Sequence, residues 1–207
     1  MKKALFLALL AFGLMACNNT TSSKENADIP LATEQTIDSP EVDVLLNSFI
    51  TAEGLGCLKL GAKIPDTIPG YEILYLIYKK VDEDVEDVIV EVKKEDNLML
   101  QIRPGLVDET DAANDTIAGI LIISDQFVTI DGIHVGSSVH NILEKRGVTT
   151  YFNEKRVYIK DNGLTYLLKP EDYEGELPAS TFENPTEIEQ PTFKADAKVG
   201  VIGIFGE

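Results

Sequence analysis

The chain has 207 residues and carries 18 Lys and Arg against 35 Asp and Glu, a net charge of −17. A surface so acidic repels phosphate backbones, so nucleic acid is not an expected partner. Of the two cysteines, Cys17 belongs to an N-terminal signal and Cys57 is left alone, so no intramolecular disulfide is expected and an ordinary apolar core must hold the fold.

At the start, Lys2 and Lys3 precede an uncharged apolar run from Ala4 to Ala16. That run is too short to span a bilayer as a helix, which takes about 20 residues, and reads as a secretory signal over residues 1–16. It ends in Leu14-Met15-Ala16-Cys17, which resembles the lipobox of bacterial lipoproteins. The resemblance implies a diacylglyceryl group on the Cys17 thiol and cleavage before it. The protein is then lipid-anchored in the cell envelope, at the periplasmic or the surface face of the outer membrane. The alternative is a plain secretory signal with an incidental cysteine. Residues 17–39 have no aromatic side chain and are rich in Asn, Thr, Ser and Glu, so they read as a tether. A flexible coil of that length reaches on the order of 25 Å.

The folded part is expected from residue 40 to residue 207, and it contains an internal echo. Phe49-Ile50-Thr51-Ala52-Glu53-Gly54 matches Phe127-Val128-Thr129-Ile130-Asp131-Gly132. After three extra residues within Leu55-Gly56-Cys57, Leu58-Lys59-Leu60-Gly61 matches Ile133-His134-Val135-Gly136. Further on, Val90 to Lys93 matches Val157 to Lys160, Leu100 to Pro104 matches the stretch ending at Pro170, and Asp115 to Ile123 matches Asp196 to Ile204. The ordered series predicts a duplication, with repeats over 40–115 and 116–207 that form either two units or one continuous domain.

Within each copy the residues predict elements. Val42 to Leu46 has the look of an amphipathic helix start, but its repeat partner, Ile117 to Ile123, is a β-branched run, and the repeat assigns a strand to both. The first copy's Ala62 to Gly70 contains Pro65 and Pro69, which reduce any helix to a turn, followed by a strand over Tyr71 to Val81. A hairpin is expected from Val88 to Lys93 and Leu98 to Arg103, around Glu95-Asp96-Asn97. Its counterpart runs from Arg156 to Lys160 and Leu164 to Lys169, around Asp161-Asn162-Gly163. Pro104 and Pro170 should end these hairpins. Ser137 or Ser138 is expected to cap a helix that puts Val139, Ile142 and Leu143 on one face and stops at Gly147. The predicted class is therefore α+β: two tandem, mainly antiparallel β units, each with a short helix on the sheet, reduced in the first.

The spacing of Gly136, Ser138, Ile142 and Gly147 resembles the helix of the small outer-membrane lipoproteins that assist β-barrel assembly. Two such units in tandem look like the β-lactamase inhibitor proteins. These resemblances imply a non-enzymatic, protein-binding scaffold with an assembly or inhibitor role.

Candidate chemistry is sparse. Cys57 and His134 both lie near the repeated phrases and would make a thiolate–imidazole pair, which keeps a thiol-dependent enzyme as the alternative function. Against it, Cys57 sits in an apolar stretch where free cysteine packs as a small hydrophobe. Ser137, Ser138 and His140 lack triad spacing and a nucleophile elbow. The acidic runs Val81 to Asp87 and Asp108 to Asp115 lack the order of a calcium loop and read as solvated turns, with weak calcium binding as the alternative, so no built metal site and no cofactor are expected. The long segment from Glu171 to Ala195 carries Tyr173, Leu177 and Phe182 among acids and prolines, and these three are the candidate partner surface. The alternative for that segment is aromatic packing back onto the sheet.

Overall fold

Alternation along the strands sets the architecture: β9 (Arg156–Asp161) and β10 (Leu164–Leu168) bury every second side chain, so each presents one face to a core and one to the outside. The computed structural model describes residues 43–79, 86–105, 116–145, 147–153, 156–178 and 184–206. Residues Ser39–Glu207 form one compact unit. The remaining elements are β1 (Ile50–Thr51), β2 (Gly54–Leu55), β3 (Leu58–Lys59), β4 (Glu72–Lys79), β5 (Glu86–Lys94), β6 (Asn97–Gly105), β7 (Thr116–Ile122), α1 (Val139–Leu143), β8 (Thr149–Asn153), β11 (Thr186–Ile188) and β12 (Val199–Phe205). A three-residue 3-10 turn spans Pro170–Asp172.

The sheet is wholly antiparallel, in the order β11-β8-β9-β10-β12-β7-β6-β5-β4, and β1-β2-β3 form a separate small meander. Outward from the central pair β7 and β12, each half has a hairpin and then a further strand: β6, β5 and β4 on one side, β10, β9 and β8 on the other. The same backbone contacts fix each half. Gly61 N–H donates to Ile117 O and Ile117 N–H to Ala62 O, both at 2.8 Å. Gly136 N–H donates to Val199 O at 2.8 Å and Val199 N–H to Ser137 O at 2.9 Å.

Both hairpins fall where the sequence puts them, because their turns need positive φ. Glu95 and Asp96 have φ of 50° and 65°, and Asn162 and Gly163 have 48° and 79°. Pairing of β5 with β6 ends at Ile102, before Pro104, while β6 itself continues to Gly105 through a register shift against β7. Pro170 opens the 3-10 turn.

The predicted α+β class is corrected: the protein is mostly β. Its one α-helix among the described residues has five residues, and Ser138, at its N-cap, makes no side-chain cap. What covers the inner face of the sheet is largely irregular chain. Leu45, Ile50, Leu55, Leu58, Ile64 and Ile68 from one segment, and Phe127, Ile133, Val139 and Ile142 from another, are all buried. They share one cluster with inward strand residues such as Ile102, Ile120, Ile202 and Val157. Each such burial contributes about 1.5–3 kcal/mol, enough to hold a segment without regular hydrogen bonding along it.

The strand expected at Val42 to Leu46 is also corrected. Its described residues form a helical turn, since the Asp43 carboxylate accepts from Leu45 N–H at 3.1 Å and Leu46 N–H at 2.9 Å, and Asn47 N–H donates to Asp43 O at 3.1 Å. The same carboxylate pairs with Lys94 at 2.6 Å and accepts from the Tyr71 hydroxyl at 2.9 Å. Burial would raise the Asp43 carboxyl, but the hydrogen bonds from Leu46, Lys94 and Tyr71 outweigh it and hold the group below its ordinary value of 3.8. Its stabilisation is therefore full above 3.8 and is lost as pH falls through the lower folded value. Asp43→Asn is expected to cost about 1 kcal/mol in urea denaturation at neutral pH, and the gap from wild type should close in strong acid. A gap that stays constant with pH would count against the carboxylate's role.

Candidate functional site

The outer face of the sheet is the face that no described segment covers. Cross-strand pairing carries its residues in rows. One row runs Glu91, Gln101, Leu121, Gly203, Thr165 and Lys160, and the next places Arg103 beside Gly119 and Gly119 beside Phe205. The two glycines matter here. A Cβ on Gly119 would come within 2.9 Å of the Phe205 ring, and one on Gly203 would overlap it, so the ring lies down on the sheet only because both positions lack side chains.

This geometry makes a cleft of about 290 Å³. Its floor is Leu121, Leu167 and Phe205, the last 37% exposed, and Tyr158 stands in its wall. Arg103 lines it from β6, and Arg156 and Lys160 line it from β9. No carboxylate lines it, and among the described residues none forms an ion pair with these three cations. Lys160 Nζ instead sits 5.6 Å from the centroid of the Tyr151 ring, which stacks on Tyr158. Burial, with Tyr151 alongside, raises the Tyr158 hydroxyl above its usual value, so it is a neutral donor at physiological pH. Glu91, on the same face toward β5, is neutralised by Lys93 at 3.0 Å.

The side chains singled out from the sequence lie elsewhere. Cys17 and Phe182 fall outside the described residues. Tyr173 is half-buried, with its ring edge-on to Phe193 at 5.5 Å, and Leu177 is 45% exposed. Neither lines the cleft. Their segment is tied back by Glu174 N–H to Thr192 O and Lys194 N–H to Asp172 O, both 2.9 Å, and contributes β11 to the sheet edge. Phe193 is buried.

Cys57 is half-buried in the turn between β2 and β3 and packs against the core. His134 Nδ1 lies 2.8 Å from Val135 O, and His134 N–H donates to the buried Ser137 hydroxyl at 2.9 Å. His140 Nε2 lies 3.3 Å from Lys194 O. Asp108 to Asp115 lies outside the described residues, as does Val81 to Asp87 apart from the backbone of Glu86 and Asp87. Among the described residues, no group of His, Cys, Asp and Glu is placed to hold a metal ion, and no helix is long and apolar enough to cross a membrane.

Fold and cleft together define a mostly-β protein built on one large antiparallel sheet, covered on one face and, among the described residues, open on the other. No family model and no curated protein matches the chain. Among solved structures it is similar to the uncharacterized protein yfeY from Escherichia coli, at 16% identity and a TM-score of 0.46, over 77% of this chain and 100% of that one.

Proposed function

We propose that the protein is a lipid-anchored, non-catalytic binding protein of the cell envelope, held by Cys17 and a tether, with the open face of its sheet as the binding surface. The observation that carries the binding role is the cleft: three cations without ion-pair partners among the described residues surround an apolar floor in a chain of net charge −17. The anchor rests on the Lys2-Lys3 start and the Leu14-Met15-Ala16-Cys17 motif. In bacteria fed labelled palmitate, the wild-type chain is expected to take up label and lose residues 1–16, and Cys17→Ser to do neither. A wild-type chain that is processed without taking up label would refute the anchor.

A further inference from the structure

We infer that the cleft on the open face binds a small amphipathic anion, with one carboxylate or phosphate head on a short unbranched apolar body. This deepens, and rests on, the reading of the open face as the binding surface. The charges are the first reason. Arg156, Tyr158 and Lys160 alternate on β9 and so project from the same face, where the two cations flank a neutral phenol donor. Nothing anionic among the described residues answers them, whereas Lys93, Lys94 and Lys145 are all paired. With no carboxylate in the cleft lining, an anionic head among these cations is attracted by each of them without competing with a counter-charge there.

The apolar floor gives the second reason. From β9 the face crosses Leu167 on β10, Phe205 on β12 and Leu121 on β7 before reaching Arg103 on β6. Three strand spacings from β9 to β7 span roughly 14 Å, room for an extended body of roughly eight to ten carbons together with its anionic head. The volume of about 290 Å³ sits at the small end of ligand sites and suits one short chain, not a diacyl phospholipid. Arg103 stands at the far rim, where it adds to the attractive field without touching the head.

The test uses the chain from residue 17 onward with Cys17→Ser, which retains the whole compact unit Ser39–Glu207. Octanoate, octyl phosphate, octanol and octylamine are titrated by calorimetry, and the bound site is mapped by amide NMR shifts. One of the two anions is expected to bind one-to-one with shifts centred on β7, β9, β10 and β12. Octanol should bind at least about tenfold more weakly and octylamine not at all, and added salt should weaken the anion. Arg156→Gln with Lys160→Gln should weaken the anion by about tenfold or more at unchanged melting temperature, and Arg103→Gln by less. Equal binding of octylamine, an unaffected double variant, or binding only to phosphatidylglycerol vesicles would overturn the inference. Palmitate labelling at Cys17 is read separately. A chain that takes label but ignores both anions refutes the ligand and leaves the anchor standing.

Discussion

Lys145→Met is expected to destabilise the fold by about 3 kcal/mol, only the lower end for a broken buried ion pair, because Asp161 is buried while Lys145 and Asp131 are 24% and 55% exposed. Lys145 Nζ lies 2.8 Å from Asp131 Oδ2 and 3.3 Å from Asp161 Oδ2, and the Asp161 side chain is only 5% exposed. Without the ammonium, that carboxylate stays nearly dehydrated next to the β9–β10 turn with its counter-charge gone. Burial works against the charged Lys145, but hydrogen bonds to both aspartates prevail and raise its titration above the usual value of 10.5. The lysine's share of the stabilisation is therefore complete below 10.5 and is lost as pH rises through the raised folded value. For a domain of this size the loss corresponds to a fall in melting temperature of roughly 6–12 °C. Adding Asp161→Asn should recover much of it, since no stranded charge then remains. A double variant as unstable as Lys145→Met alone would show that the lysine acts by packing its stem.

Asp161 also exposes a rule that the two halves share with the sign reversed. It stands directly before the positive-φ turn of its hairpin, as Lys94 does in the other, and Lys94 pairs with Asp43 at 2.6 Å. In each half, a charge at the hairpin tip is held by an opposite charge from the segment that covers the core. The hairpins and closing strands were legible because turn chemistry and β-branched runs act locally. The covering segments were not, because they follow tertiary burial and scattered hydrogen bonds. Ile117 to Ile123 resembles two stretches at once, Val42 to Leu46 at the start of the first copy and Val199 to Ile204 at the close of the second. Since β7 is the closing strand, nothing requires Val42 to Leu46 to match it, and the local amphipathic helix signal over Val42 to Leu46 is the better guide. The class differs for the same reason: among the described residues the covering segments form a helical turn, the small meander β1-β2-β3 and a single five-residue helix. The cleft was harder still to read. Its residues come from separate strands, and Arg103, Arg156 and Lys160 each look like ordinary solvated positions. The available signal was the pairing of glycines with an aromatic, Gly119 and Gly203 with Phe205, on the face opposite the apolar one.

Gly54→Ala is expected to cost about 3–5 kcal/mol, and Gly132→Ala, at the matching place in the second phrase, only about 1–2 kcal/mol. Both glycines have positive φ, +147° and +79°. A Cβ at Gly132 meets nothing within 4 Å, so only backbone strain is incurred. A Cβ at Gly54 would land on the Leu58 carbonyl oxygen, which is backbone and has no flexible end to move aside. The difference traces to the three inserted residues. In the first copy they let the chain fold back twice, pairing Thr51 with Gly54 and Leu55 with Leu58, which buries both leucines and leaves Cys57 in the turn. In the second copy the chain closes a single turn, with Thr129 N–H donating to Ile133 O at 2.8 Å and Ile133 N–H to the Thr129 hydroxyl at 3.0 Å. Relieving the clash at Gly54 means separating β2 from β3 and drawing Leu55 and Leu58 out of the core. Urea denaturation of the two single variants measures the gap. Equal losses would mean that the two phrases fold alike and that the insertion has no structural consequence, whereas unequal losses assign the stretch around Cys57 to building the core.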